Sequence, residues 1–328
     1  MLEILVYFIY FLLCYNSYMS IESDVSLNEN NAESFAEIRK KLAEGFGIAV
    51  CTTQKSGHTT SLIEQIGFIE KLCPACVQFD FRNRTAEEIR EAVPLFETFR
   101  KNNPDMALSL HGESPKINED DAGMKNQERI TYELSLATLL SAESFTVHPP
   151  SINFKLYSEL DGKTQDTIID SYASVFAEYL EKVNGSEKVF CVAIENMPGK
   201  GDGGAYGQTP DELNTLISRI KTLLLNKGIL PERIEESLGV TLDINHALHD
   251  IENDHYEEVL EHWFGTLGQK IRVIHLYTPS KYDSVYAGKY ELVLNLAARY
   301  SSRARILMES KQSFEVTKNV YEAGIFRD

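Results

Sequence analysis

Basic residues are the scarcer charge in this chain. In 328 residues, 32 Lys and Arg stand against 49 Asp and Glu, a formal net charge of −17 at pH 7. No tract of clustered Lys or Arg interleaved with aromatics offsets that balance. This argues against a general affinity for polyanions, because phosphate backbones are held by Lys and Arg. Nucleic acid is then a partner only through the chemistry of a site. Cysteine is sparse too: Cys14, Cys51, Cys73, Cys76 and Cys191 are too few and too scattered for a disulfide framework in a chain of this length. A reducing compartment, the cytoplasm, is expected. Cys73-Pro-Ala-Cys76 has the CxxC spacing of a redox or zinc pair, but no second pair completes a tetrahedral site, and packing is the simpler reading.

A long hydrophobic run is also missing. Ile4–Tyr15 is continuously apolar and aromatic, yet it falls short of the roughly 20 residues needed to span a bilayer. No basic residue precedes it and no clear small-residue cleavage site follows, so it is a poor signal peptide. Two alternatives stand: a hydrophobic anchor, or an upstream extension of the reading frame with Met19 as the start. Ser20–Glu33, rich in Ser, Asn and acids, reads as a flexible polar linker. Residues 1–33 are therefore set apart from a catalytic domain over 34–328.

What the chain does have is an even alternation. Strand-like runs fall near Gly47–Cys51, Val77–Phe81, Ala107–His111, Phe145–His148, Val189–Glu195, Val240–Asp243, Arg272–His275 and Arg305–Glu309. Between them lie apolar residues at helical spacing, such as Leu62-Ile63-Ile66-Ile69, Ile130-Leu134-Ala137-Leu140, Ile168-Tyr172-Phe176-Tyr179-Leu180 and Leu213-Ile217-Ile220-Leu224. Strands alternating with helices pair in parallel through crossovers. No GxGxxG turn follows the first strand to suggest a dinucleotide site. Eight such units predict an α/β fold, a single (β/α)8 TIM barrel with an N-terminal extension; about 250 residues is typical of one such barrel.

Imidazoles and carboxylates gather where these strands end: His111, His148, Glu195, Asp243 with His246 just beyond, His275 and Glu309. That is the face on which barrel active sites are built. Acids buried together at one mouth are costly without a cation. The mixed nitrogen and oxygen donors suit Zn, Mn, Fe or Co better than Ca, and the absence of Cys among them favours a hydrolytic or Lewis-acid site over a structural zinc. By contrast His249, His255 and His262 read as surface or capping residues, and Trp263 with Phe264 as helix-to-barrel packing.

The ordered set His111, His148, Ile194-Glu195-Asn196-Met197-Pro198-Gly199, Leu242-Asp243-Ile244-Asn245-His246-Ala247, His275-Leu276 and Glu309 resembles the xylose-isomerase-like TIM-barrel superfamily, from about Gly47 to the carboxyl end. The resemblance implies a divalent metal (Mn, Zn, Co or Mg) held by Glu195, Asp243, His275 and Glu309. In the isomerase and epimerase branch it implies a carbohydrate substrate, with Glu195 and Glu309 moving protons through an enediolate. His246 would bind a substrate hydroxyl there, and Lys281 would face developing negative charge or a substrate phosphate. The endonuclease IV branch implies a second metal on His111 and His148, with Glu195 bridging, and a DNA substrate. Phe81-Arg82-Asn83-Arg84 would supply a backbone-binding loop.

Asp283-Ser284-Val285 puts an aliphatic side chain where that branch needs an imidazole, and Ser114 stands where it has an aromatic. Sugar or sugar-phosphate isomerase or epimerase chemistry is therefore expected ahead of phosphodiester cleavage. A non-catalytic metal-binding barrel is the third alternative, and homo-oligomerisation is left open.

Overall fold

A computed structural model describes residues 34–53, 56–114, 126–149, 161–185, 189–198, 206–277 and 284–322. Its strands are β1 (Gly47–Val50), β2 (Cys76–Asp80), β3 (Ala107–His111), β4 (Ser144–Val147), β5 (Cys191–Glu195), β6 (Leu238–Asp243), β7 (Ile271–Tyr277) and β8 (Arg305–Ser310). Each pairs in parallel with the next, and β8 returns to β1 to close the barrel. All eight predicted strands form, with ends shifted by only a few residues. The described helices are α1 (Phe35–Glu44), α2 (Leu62–Leu72), α3 (Ala86–Asn102), α4 (Gln127–Leu139), α5 (Gly162–Asn184), α6 (Pro210–Asn226), α7 (Pro231–Ser237), α8 (Ile244–Ala247), α9 (Tyr256–Leu267), α10 (Ser284–Tyr300) and α11 (Phe314–Glu322).

Local sequence explains where the helices start. Ser61 caps α2 and Thr85 caps α3, each accepting from the backbone amide three residues on while that residue's Glu reaches back, a reciprocal capping box. Thr209 caps α6 ahead of Pro210, whose missing N–H is no loss in the first turn. In α2, Leu62, Ile66 and Ile69 are buried, but Ile63 is 65% exposed. It lies one step, about 100°, off the i, i+4, i+7 stripe that faces the barrel.

In the strands the period is two. Leu108 and Leu110 of β3 join the main apolar shell, while Ala107, Ser109 and His111 lie on the other face. Part of that interior is polar. Gln78 Nε2 donates to Ser109 Oγ (3.0 Å) and Thr146 Oγ1 (3.1 Å), Ser144 donates to Ser109 (2.8 Å), and Thr146 and Thr241 share a 2.9 Å bond. Trp263 and Phe264 are buried, and His249, His255 and His262 are exposed, all as expected. Cys76 is buried at the head of β2, whereas Cys73 is an exposed left-handed cap of α2. The CxxC residues thus serve separate structural roles. Among the described residues no helix is long and apolar enough to cross a membrane.

Candidate metal centre

Parallel pairing brings the strand ends into one ring. Asp80 lies beside His111, Asp243 beside His275, and Tyr277 beside Glu309 in neighbouring strands. His148 follows the last residue of β4, Glu195 ends β5 and His246 lies in α8. Lys281 and Asp283 lie outside the described residues, as does the side chain of Val285.

Glu195 is at the centre, buried at 1% exposure. His111 Nε2 lies 2.8 Å and His148 Nε2 3.2 Å from its Oε2, whereas His275 Nδ1 lies 3.4 Å and His246 Nδ1 3.8 Å from its Oε1. One carboxylate thus faces two pairs of rings through two different oxygens. Two donor sets, His111 with His148 and Glu195, and Glu195 with Asp243 and His246, each have ligand atoms within 4.8 Å of one another.

The second layer orients these groups. Asp243 caps the four-residue α8, its Oδ1 accepting from the amides of Asn245 (2.7 Å) and His246 (2.9 Å). Asn196 latches β5 to β6: its Oδ1 accepts from Asp243 N (2.6 Å) and its Nδ2 donates to Asp243 O (3.0 Å). Its own carbonyl lies 2.8 Å from His246 Nδ1, which makes Nδ1 the donor and leaves the Nε2 lone pair open. Carbonyls that set a ring tautomer in this way are a usual companion of metal-binding histidines. His111 instead donates from Nε2 to Glu195 Oε2 at 2.8 Å, with its Nδ1 3.3 Å from Gly112 O. His275 Nε2 is buried with no hydrogen-bond partner among the described residues. These open nitrogens and the clustered oxygens fit a divalent cation.

Electrostatics agree. Burial by itself would raise Glu195, but the facing His148 and His275 outweigh it and hold the carboxyl well below its ordinary range. Burial pushes His111 down to about 4, helped by nearby Arg82, so its ring is neutral at pH 7 and fit to ligate. Burial would lower His275 and His246, yet the surrounding carboxylates raise both. Asp243 is pushed up by burial and by its acidic neighbours Glu309 and Glu195.

The centre residues Asp80, Cys51 and Lys311 escaped the sequence reading. Arg82, expected in a backbone-binding loop, turns into the site. It grips Asp80 side-on through Nε and Nη2, both at 3.0 Å, and reaches His148 Nε2 at 3.3 Å and Glu309 Oε1 at 3.6 Å. Asp80 is itself pinned by the Thr52 amide at 2.8 Å. Cys51 Sγ donates to Glu309 Oε1 at 3.2 Å, and Lys311 Nζ stands 3.9 Å from Glu309 Oε2. Asp80 ends β2 and obeys the same strand-end rule as the histidines, so it was within reach of that rule. Arg84, expected in the same loop, is 6% exposed, and its Nε and Nη2 are buried without hydrogen-bond partners among the described residues.

No family model matches the sequence, and no curated protein does. Solved structures share its architecture. A D-tagatose 3-epimerase-like protein is 20% identical, with 86% of this chain and 97% of that one covered and a TM-score of 0.52. Endonuclease IV from Thermus thermophilus is 14% identical, with 86% and 99% covered and a TM-score of 0.54. The probable 3-DHS dehydratase AsbF from Bacillus anthracis is 11% identical, with 86% and 100% covered and a TM-score of 0.57. At these identities the likeness is one of fold: the chain shares with these structures a closed barrel of eight parallel strands, the (β/α)8 fold that its strand and helix rhythm predicted.

Proposed function

We propose that this chain is a divalent-metal-dependent hydrolase of phosphodiester bonds, with a two-cation centre astride Glu195. The observation that carries this reading is the split of the Glu195 carboxylate, Oε2 toward His111 and His148 and Oε1 toward His275 and His246. His111, His148 and Glu195 would hold one ion; Glu195, Asp243, His275 and Glu309 would hold the other, with His246 beside them. Bound there, divalent cations supply Lewis-acid charge to a phosphoryl oxygen. The protein's own part is to bind and orient an anion. Four buried carboxylates, Asp80, Glu195, Asp243 and Glu309, face the basic Arg82 and Lys311. With neutral histidines one divalent ion would balance that set, and a second would leave it positive, as an anionic substrate requires. Arg82, fixed by Asp80, is placed to hold a non-bridging phosphate oxygen.

A sugar or sugar-phosphate isomerase or epimerase is the second reading. It needs one ion on Glu195, Asp243, His275 and Glu309, with Glu195 and Glu309 as proton carriers, and Val285 favours it. It was the leading expectation from sequence. It now stands second because His111 and His148 converge on one Glu195 oxygen, an arrangement that a single ion on Glu195, Asp243, His275 and Glu309 does not use. In either case free buried thiols are consistent with a reducing cytoplasm.

Metal analysis of purified protein, paired with incubation on an abasic duplex and on a panel of ketoses, aldoses and their phosphates, separates the two. The expected result is two ions per chain and metal-dependent incision, both lost in Glu195→Gln. One ion, an intact duplex and solvent proton exchange into a sugar would establish the second reading. A protein that takes up no divalent metal would sink both.

A further inference from the structure

Behind the centre lies a second buried ionic group, on α4. Arg129 Nε donates to Glu133 Oε1, and Glu133 is fully buried. The pair is not closed on itself. Arg129 Nη2 donates to Phe81 O at 2.8 Å and Nη1 donates to Arg84 O, so one guanidinium grips both ends of the turn that carries Arg82. Glu133 Oε2 accepts from Glu113 N at 3.0 Å, two residues past His111. The backbones of the two strand ends meet between these anchors, where Phe81 N donates to His111 O at 2.8 Å. Gly112 lets the chain pass: a Cβ there would lie 2.8 Å from Glu133 Oε2 and 2.0 Å from the Phe145 ring.

A buried ion pair is a poor source of stability, since apolar residues of the same volume do as well or better. Its distinctive property is direction. Here the donors reach one active-face loop and the acceptor reaches the other. We infer that the Arg129–Glu133 pair is the positioning element of the centre, locking the Phe81–Arg84 turn to the His111–Glu113 step so that Arg82 and His111 are presented together to His148 and Glu195. Neither residue touches the reacting groups. Arg82 meets His148, and His111 meets Glu195, only if both loops keep their mutual register, and a shift of about 1 Å is enough to spoil such a site. The role in catalysis rests on the proposed function; the locking itself does not.

Hydrogen exchange read by mass spectrometry on the whole chain, without metal, tests the locking. Compared with wild type, Arg129→Met and Glu133→Leu are each expected to speed exchange about tenfold in both segments, 81–84 and 111–113, while β6 to β8 keep wild-type rates. Arg129→Lys, which keeps the charge but not the fork, falls between and guards against a variant that fails to fold. Titration of the same proteins with Mn²⁺ alone should show about fivefold weaker binding in both non-conservative variants, partly restored in Arg129→Lys. Loosening confined to the loop that lost its contact, or spread evenly over the barrel, overturns the proposal. So does wild-type Mn²⁺ affinity with both loops loosened. If wild type binds no Mn²⁺, the metal reading falls, and the exchange pattern decides the pair's role by itself.

Discussion

At the scale of single residues, the centre is organised by carboxylates that differ only in what surrounds them. Glu195 is held ionised by imidazoles, whereas Glu133, equally buried, has burial as its dominant influence. Even with Arg129 beside it, and with Glu113 and Tyr179 facing it, Glu133 is pushed up to about 7. A carboxyl whose folded pKa exceeds its unfolded value of about 4.3 binds its proton more tightly in the native state. The stability this contributes is therefore full below about pH 4.3 and is lost as pH rises through about 7. Glu133→Gln lacks that titration, so its stability relative to wild type should improve by on the order of 2 kcal/mol between about pH 5 and about pH 8. Urea unfolding at the two pH values measures it, and an unchanged difference would refute the assignment. His111, His148, Glu195, Asp243, His275 and Glu309 were legible because each ends an apolar run. Arg82 was legible only as a loop residue, because its partners His148 and Glu309 are remote in the chain and meet it only after the barrel closes.

At the scale of elements, strand and helix were read from their periods, and the detail that escaped is one of contact. Gly47 opens β1, and a Cβ there would stand 2.3 Å from the backbone oxygen of Cys76 in β2. Backbone cannot yield as a side chain can, so Gly47→Ala should destabilise by about 3 kcal/mol through overpacking. Gly67, within α2, has nothing within 4 Å of such a Cβ, and Gly67→Ala should stabilise by about 0.5–1 kcal/mol from helix propensity. Denaturant midpoints for the two variants should move in opposite directions; movement in the same direction would show that strand approach is not what Gly47 provides. The sequence puts one glycine at a strand start and the other inside a helix, but not the close approach of Cys76 to Gly47, which lies in a neighbouring strand.

At the scale of the whole molecule, the acidic balance and the centre bear on each other. A chain of net charge −17 that buries four acids at one barrel mouth stores repulsion that a cation bound there would relieve. Ligand that binds only the native state stabilises it by about 2.7 kcal/mol at a hundredfold excess over Kd. Tm should therefore rise with Mn²⁺ or Zn²⁺ in wild type, fall on chelation, and respond weakly in Glu195→Gln. An equal response in the variant would place the cation elsewhere.

The sequence by itself determined the eight-fold β/α rhythm, the strand ends and the residue types offered there, because hydrophobic period and chain order are local properties. Tertiary structure decided which oxygen of Glu195 faces which ring, that Arg82 turns inward to Asp80, His148 and Glu309, and that α4 braces two loops from behind. Those choices depend on distances between residues far apart in the chain, and such distances exist only once the barrel closes.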